Sequence, residues 1–285
     1  MPLLLFLVLA VFGLFIGTLT GIFGVGGGFL ITPMLITLLG IGSSTAVGSD
    51  LCLIVGTSAA GFRRHMRLGS YDLATIFYMA MGAVVGAVLG TLVHQSLKAL
   101  AGEELFDLLI LIFYLPMLLT TAWLVFRGSG TALKGKSLLQ RFPIGPRADL
   151  KLAGIESISL SGLIGIGLMI GILTGLLGIG GGVLFMPILL LVVGLDAHKA
   201  VGTSLGVILF ASMSGVISHS VLGHGESHVS LMLAMSLLVT STIGVQLGAW
   251  LCHKLHAGQL RKYFSVVVLV AATVVSIKLI IALST

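Results

Sequence analysis

Two stretches of this chain place backbone amides where chemistry with an anion becomes possible. Gly24, Gly26, Gly27 and Gly28 interrupt one apolar run, and Gly178, Gly180, Gly181 and Gly182 interrupt another. Each glycine lowers helical propensity by about 1 kcal/mol, so three in succession mark a break in a helix. The helix that restarts after the break, at Phe29 or Val183, turns unpaired N–H groups and the positive end of its dipole toward the gap, which suits a small anion. Glycine also lets backbone approach without a side-chain clash. No Gly-Lys-Ser/Thr ending follows either stretch and no strand precedes it, so neither a P-loop nor a dinucleotide fingerprint is met.

A few polar side chains share these runs. Thr20 and Thr174, and likewise Ser49 and Thr203, are hydroxyls at matching positions around the two stretches. They either orient a bound anion or bond their own helix. Asp50 is an ionisable group within an apolar segment, which is costly and therefore a candidate for function. Its counterpart is Ser204, so it is read either as the carrier of a coupling proton or as a structural residue at a helix start. His65 and His219 match each other at the ends of their helices, which makes paired gates conceivable. His219, His224 and His228 with Glu226 are spaced by five and four residues, which fits no specific metal site. No metal, cofactor or nucleic-acid partner is expected. Cys52 and Cys252 have no CxxC or His-rich neighbourhood and read as packing residues. No nucleophile–base pair or carboxylate pair sits at membrane depth, so an enzyme is not expected.

The elements that must position these groups are duplicated. TGIFGVGGGFLITP at residues 20–33 returns as TGLLGIGGGVLFMP at 174–187, and the offset of 154 holds from Gly13–Gly61 to Gly167–Gly215 with 22 identities in 49 positions. Whatever the glycine breaks do, they are expected to do together.

Composition places both copies in a membrane. The chain is 57% hydrophobic and 8% charged, with a mean hydropathy of +1.21, against about 25% charged in soluble domains. Its apolar runs reach the roughly 20 residues that cross a hydrocarbon core as a helix, and the period of about ten residues of a β-barrel is missing. The N-terminal run lacks a basic n-region and is read as a membrane helix rather than a signal peptide. Residues 3–21 carry Gly13, Gly17 and Gly21 at the spacing of close helix packing. After the first break come a short piece at 29–39, a helix at 44–62 ending in a basic loop at 63–67, and spans at 71–93 and 105–126. The second half repeats this order at 158–175, 183–193, 198–218, 229–251 and 260–283. Pro33 and Pro187 are expected to kink or shorten the short pieces.

The expected fold is an all-α polytopic membrane protein of two repeats, about five helical segments each, with eight to ten membrane segments. Its parts are a first repeat at 1–126, a hydrophilic linker at 127–156 and a second repeat at 157–285. Arg63, Arg64 and Arg67 follow the third element of repeat one, while the matching loop of repeat two has no Lys or Arg; the loops after the fourth elements show the opposite bias, through Lys254, Arg261 and Lys262. The positive-inside rule then puts equivalent loops on opposite faces. The repeats are expected to be inverted, the linker cytoplasmic and both termini outside.

Two copies of TGxxGxGGGxxxxP, each followed by G-x(5)-AVG[ST], in an apolar chain of this size resemble the TauE/SafE sulfite-exporter family of membrane transporters. The resemblance covers essentially the whole chain. It implies movement of a small sulfur-containing anion, sulfite or an organosulfonate, across a bacterial-type inner membrane, with the paired glycines and Pro33 and Pro187 as signature positions. A secondary transporter is expected, with a passive anion channel of the same fold as the alternative. Oligomeric state is not legible.

Overall fold

The structure, a computed structural model, describes residues 3–38, 42–128, 139, 147–150, 155–222 and 231–284. The helices of the first half are α1 (Leu3–Phe23), α2 (Gly28–Leu38), α3 (Ser43–Arg67), α4 (Leu73–Ala101) and α5 (Glu103–Gly128). An antiparallel pair, β1 (Arg147–Leu150) and β2 (Ile155–Ser159), begins in the hydrophilic stretch and runs past its expected end at 156 to the start of the next helix. The second half holds α6 (Leu160–Leu177), α7 (Gly182–Ile188) continued by a π turn at Leu189–Val193, α8 (Ala197–Leu222), α9 (Leu231–Lys254) and α10 (Ala257–Ser284). The fold is all-α, and six helices among the described residues are long and apolar enough to cross a membrane.

Polarity runs from inside to outside, as a bilayer requires. Phe77, Met81, Val85 and Leu89 on α4, and Phe113, Trp123 and Phe126 on α5, are exposed. Thr20, Thr32, Ser49, Asp50, Thr57, Ser58, Thr174, Thr203 and Ser204 are buried. With hydrocarbon outside, apolar side chains gain nothing by hiding, whereas polar groups must find partners within the bundle.

The two halves interlock rather than stand side by side. α1 packs on α9 and α6 on α4; α3 packs on α9 and α8 on α4; α3 meets α8 and α5 meets α10. Exchanging each element for its counterpart in the other repeat leaves this set unchanged. A Cβ added at Gly13, Gly17 or Gly21 of α1 would meet the Leu237, Ser241 or Val245 carbonyl of α9, and one at Gly167, Gly171 or Gly175 of α6 would meet the Met79, Ala83 or Ala87 carbonyl of α4. These glycines let backbones touch, the usual route to tight packing in lipid.

Several boundaries differ from the sequence expectation. The stretch at Arg63–Arg67 is not a loop but the last turn of α3, where Arg64, His65 and Arg67 meet the negative end of the helix dipole. Pro187 sits near the end of α7, and the chain continues as a π turn until Gly194, in the left-handed region, donates to the Leu189 carbonyl at 3.0 Å. Around Pro33 the helix persists to Leu38.

Candidate functional site

Each break is built from the same backbone pattern. Gly24 (φ 68°) ends α1 with its amide on the Thr20 carbonyl at 2.8 Å, and Gly178 (φ 71°) ends α6 on the Thr174 carbonyl at 2.9 Å. Gly26 and Gly27 (φ 77° and 92°) and Gly180 and Gly181 (φ 66° and 70°) then keep the chain left-handed until α2 and α7 start. That region costs other L-residues roughly 1–2 kcal/mol each, which accounts for the G-x-G-G spacing. Leu30 and Leu184 donate to the Gly27 and Gly181 carbonyls. Among the described residues, the amides of Gly26, Gly27 and Gly28, and of Gly180, Gly181 and Gly182, donate to nothing.

The two breaks meet. A Cβ at Gly28 would come within 2.8 Å of the Ile179 carbonyl oxygen, and one at Gly182 would strike the Val25 carbonyl. Val25 and Ile179 are counterparts, as are Gly28 and Gly182, so the contact is reciprocal. Ile54 of α3 and Ile208 of α8, also counterparts, each approach both Gly26 and Gly180 and are fully buried. The helix starts of both repeats therefore face one small region capped by two isoleucines.

The polar surroundings are less symmetric than the backbone. Thr174 Oγ1 donates to the Ile170 carbonyl at 2.9 Å. Its counterpart Thr20 is fully buried beside Gly27 with no partner for its hydroxyl. Ser212 bonds the Ile208 carbonyl at 2.7 Å, whereas its counterpart Ser58, beside Gly26, has an unpartnered buried hydroxyl. Thr57 donates to the Gly26 carbonyl at 3.2 Å and Ser204 to the Gly24 carbonyl at 2.7 Å. Thr203 instead accepts the Asp72 amide at 2.9 Å, helping to fix the start of α4, where Asp72 also caps the Thr75 amide. Ser49 is buried on α3. Asp50 accepts the Thr32 hydroxyl at 2.6 Å through one carboxylate oxygen.

Thr20 and the glycines at 26–28 and 180–182 are thus brought together, while Gly24 packs on Val201 and Ser204, Gly178 packs on Val47, Thr174 is turned to its own helix and Thr203 is engaged elsewhere. Ser58, Thr57, Thr32 and Tyr114 were not singled out in the sequence. Ser58 lies about two helical turns beyond Asp50 on α3, a spacing from which it could have been found. His65 and His219 hold equivalent bonds, Nε2 to the Gly21 carbonyl at 3.2 Å and to the Gly175 carbonyl at 2.9 Å. Because a carbonyl only accepts, each ring carries its proton on Nε2. His65 packs on His253 and His219 on His94. No group of three or more metal-ligating side chains occurs among the described residues; His224, Glu226 and His228 lie outside them.

Two surface recesses, of about 560 and 340 Å³, lie near the end of α3. They are lined by Arg64, Gln246, Leu247 and Trp250, and by Arg63, Arg64, Arg67 and Thr242. Neither reaches the breaks.

The family described as sulfite exporter TauE/SafE matches residues 9–275. The chain is 27% identical to the probable membrane transporter protein YunE of Bacillus subtilis (strain 168), over 88% of this chain and 90% of that one. It is 28% identical to the probable membrane transporter protein YjnA of the same organism, over 91% and 95%. It is 26% identical to the probable membrane transporter protein MJ0441 of Methanocaldococcus jannaschii, over 86% and 87%. No solved structure matches the chain.

Proposed function

The chain belongs to the sulfite exporter TauE/SafE family, an integral membrane transporter and not an enzyme, and from that premise we propose that it is a secondary transporter exporting a small sulfur-containing anion. Sulfite or an organosulfonate binds where the two helix breaks meet. The observation that carries this reading is the reciprocal contact of Gly28 with Ile179 and of Gly182 with Val25, which sets two helix N-termini and their unpaired amides in one place.

Each helix start offers roughly half a positive charge to an oxyanion, and the unpartnered hydroxyls of Thr20 and Ser58 add two donors. No lysine or arginine is buried among the described residues. Dipoles without a fixed cation favour binding that is selective yet weak enough to release, as turnover demands. The breaks are closed by Ile54 and Ile208, so loading requires the halves to part. That favours alternating access over the open pore of a passive channel.

Purified protein in liposomes tests the reading through flux of sulfite, thiosulfate, sulfate, sulfoacetate and taurine. Saturable movement and counterflow of sulfite or a sulfonate, with sulfate at least tenfold slower, is the expected result. Conductance that does not saturate would make it a channel, and no movement of any sulfur anion would end the proposal.

The orientation goes with it. The repeats are inverted in a bacterial-type inner membrane, with the linker at 127–156 cytoplasmic and both termini outside, because Arg63, Arg64, Arg67, Lys254, Arg261 and Lys262 then share the inner face. A protease site placed in 127–156 is expected to be cut in inside-out vesicles and spared in intact spheroplasts; the opposite pattern would reverse the topology.

A further inference from the structure

Asp50 is fully buried on α3, and one of its carboxylate oxygens has no partner. The other accepts the hydroxyl of Thr32, one turn beyond Gly28 on α2. Tyr114 of α5, also fully buried, faces both Asp50 and Thr32, and its hydroxyl donates to the Leu177 carbonyl at 3.2 Å. Leu177 is the last residue of α6, immediately before the second break. These three side chains therefore connect a single carboxyl group to the outgoing helix of one break and the incoming helix of the other.

Among the described residues nothing neutralises that carboxyl. α2 brings it Thr32 and α5 brings it Tyr114, while α1, α8 and α9, which also pack on α3, bring it no charged side chain among the described residues. A lone carboxylate in a dry bundle costs far more than a neutral carboxyl, and the two exchange by gain or loss of one proton. The second repeat has Ser204 and Met186 where the first has Asp50 and Thr32, so the arrangement occurs once per chain.

We propose that Asp50, positioned by Thr32, is the proton-coupling site of the transport cycle. It rests on the transport reading above. A negative Asp50 beside α2 opposes an incoming anion, whereas a proton on its free oxygen leaves it neutral and ready to donate. Proton and anion are therefore taken up together and released together, one proton per cycle. Sulfite carried as a dianion with one proton keeps a net negative charge, so an inside-negative potential still drives export.

The test measures protons moved per sulfite in liposomes holding a pH-sensitive dye, with protein-free liposomes giving the bisulfite leak. The wild type is expected to move about one proton per sulfite, and D50N less than a tenth of that. T32V keeps the carboxyl and is expected to keep the ratio while moving the pH at which flux is half-maximal, a change that a purely structural role would not produce. An equal ratio in wild type and D50N, a wild-type ratio of zero alongside sulfite movement, or dependence on a sodium gradient would each overturn the coupling site and leave the transport reading standing. If D50N fails to reach the membrane, an unmoved midpoint in T32V overturns the site. Absence of sulfite movement by the wild type would instead overturn the reading on which it rests.

Discussion

Gly182→Ala is expected to reduce sulfite flux to below a hundredth of the wild-type value while the protein still inserts and purifies as a monodisperse species. The added methyl falls onto the Val25 carbonyl, a backbone group that cannot rotate aside. Nor can α7 retreat, because Gly28 makes the reciprocal contact with Ile179. Overpacking of this kind typically costs about 1–3 kcal/mol, less than the roughly 5–15 kcal/mol by which a folded protein is stable. The bundle should therefore survive with its breaks spread apart. Gly27→Val and Gly181→Val should behave alike, since a β-branched residue at φ 92° or 70° must rebuild the break. Gly165→Ala is the control, because a Cβ there meets nothing within 4 Å. Normal flux in G182A would separate the breaks from transport.

The breaks were legible in the sequence because their cause is local. Left-handed backbone at Gly24, Gly26 and Gly27 demands glycine whatever lies nearby, and the copy at 178–181 repeats the demand. Hydroxyl partners were not legible, because they depend on which helix lies opposite. Thr203 and Ser204 are adjacent and equally polar, yet one turns to Asp72 and the other to Gly24. The equivalence of His65 and His219 is in the repeat, but their glycine carbonyls appear only once α3 lies against α1 and α8 against α6. The basic end of α3 misled for a physical reason: charge density suggests solvent, but arginines in a last turn also stabilise the helix that bears them. Tyr114 sits in a plain apolar span with nothing beside it to single it out, and only the packing of α5 against the breaks shows where its hydroxyl goes.

Thr20→Val and Ser58→Ala are each expected to raise the KM for sulfite by about tenfold or more, and their counterparts Thr174→Val and Ser212→Ala by less than twofold. The difference follows from where each hydroxyl already points. Thr174 and Ser212 spend their protons on the Ile170 and Ile208 carbonyls, while Thr20 and Ser58 are fully buried beside Gly27 and Gly26 with none spent. A buried hydroxyl without a partner costs stability unless something else completes it. A hydrogen bond to a charged ligand contributes about 1.5–3 kcal/mol, or roughly one to two powers of ten in affinity. Removing the hydroxyl should therefore leave thermal stability unchanged or slightly raised while weakening sulfite, a pairing of effects that loss of a packing residue does not give. Equal KM shifts in the two repeats would mean a symmetric site centred between the breaks. Unchanged KM in T20V and S58A would remove both hydroxyls from the binding surface and leave the amides of Gly26, Gly27 and Gly28 to hold the anion alone.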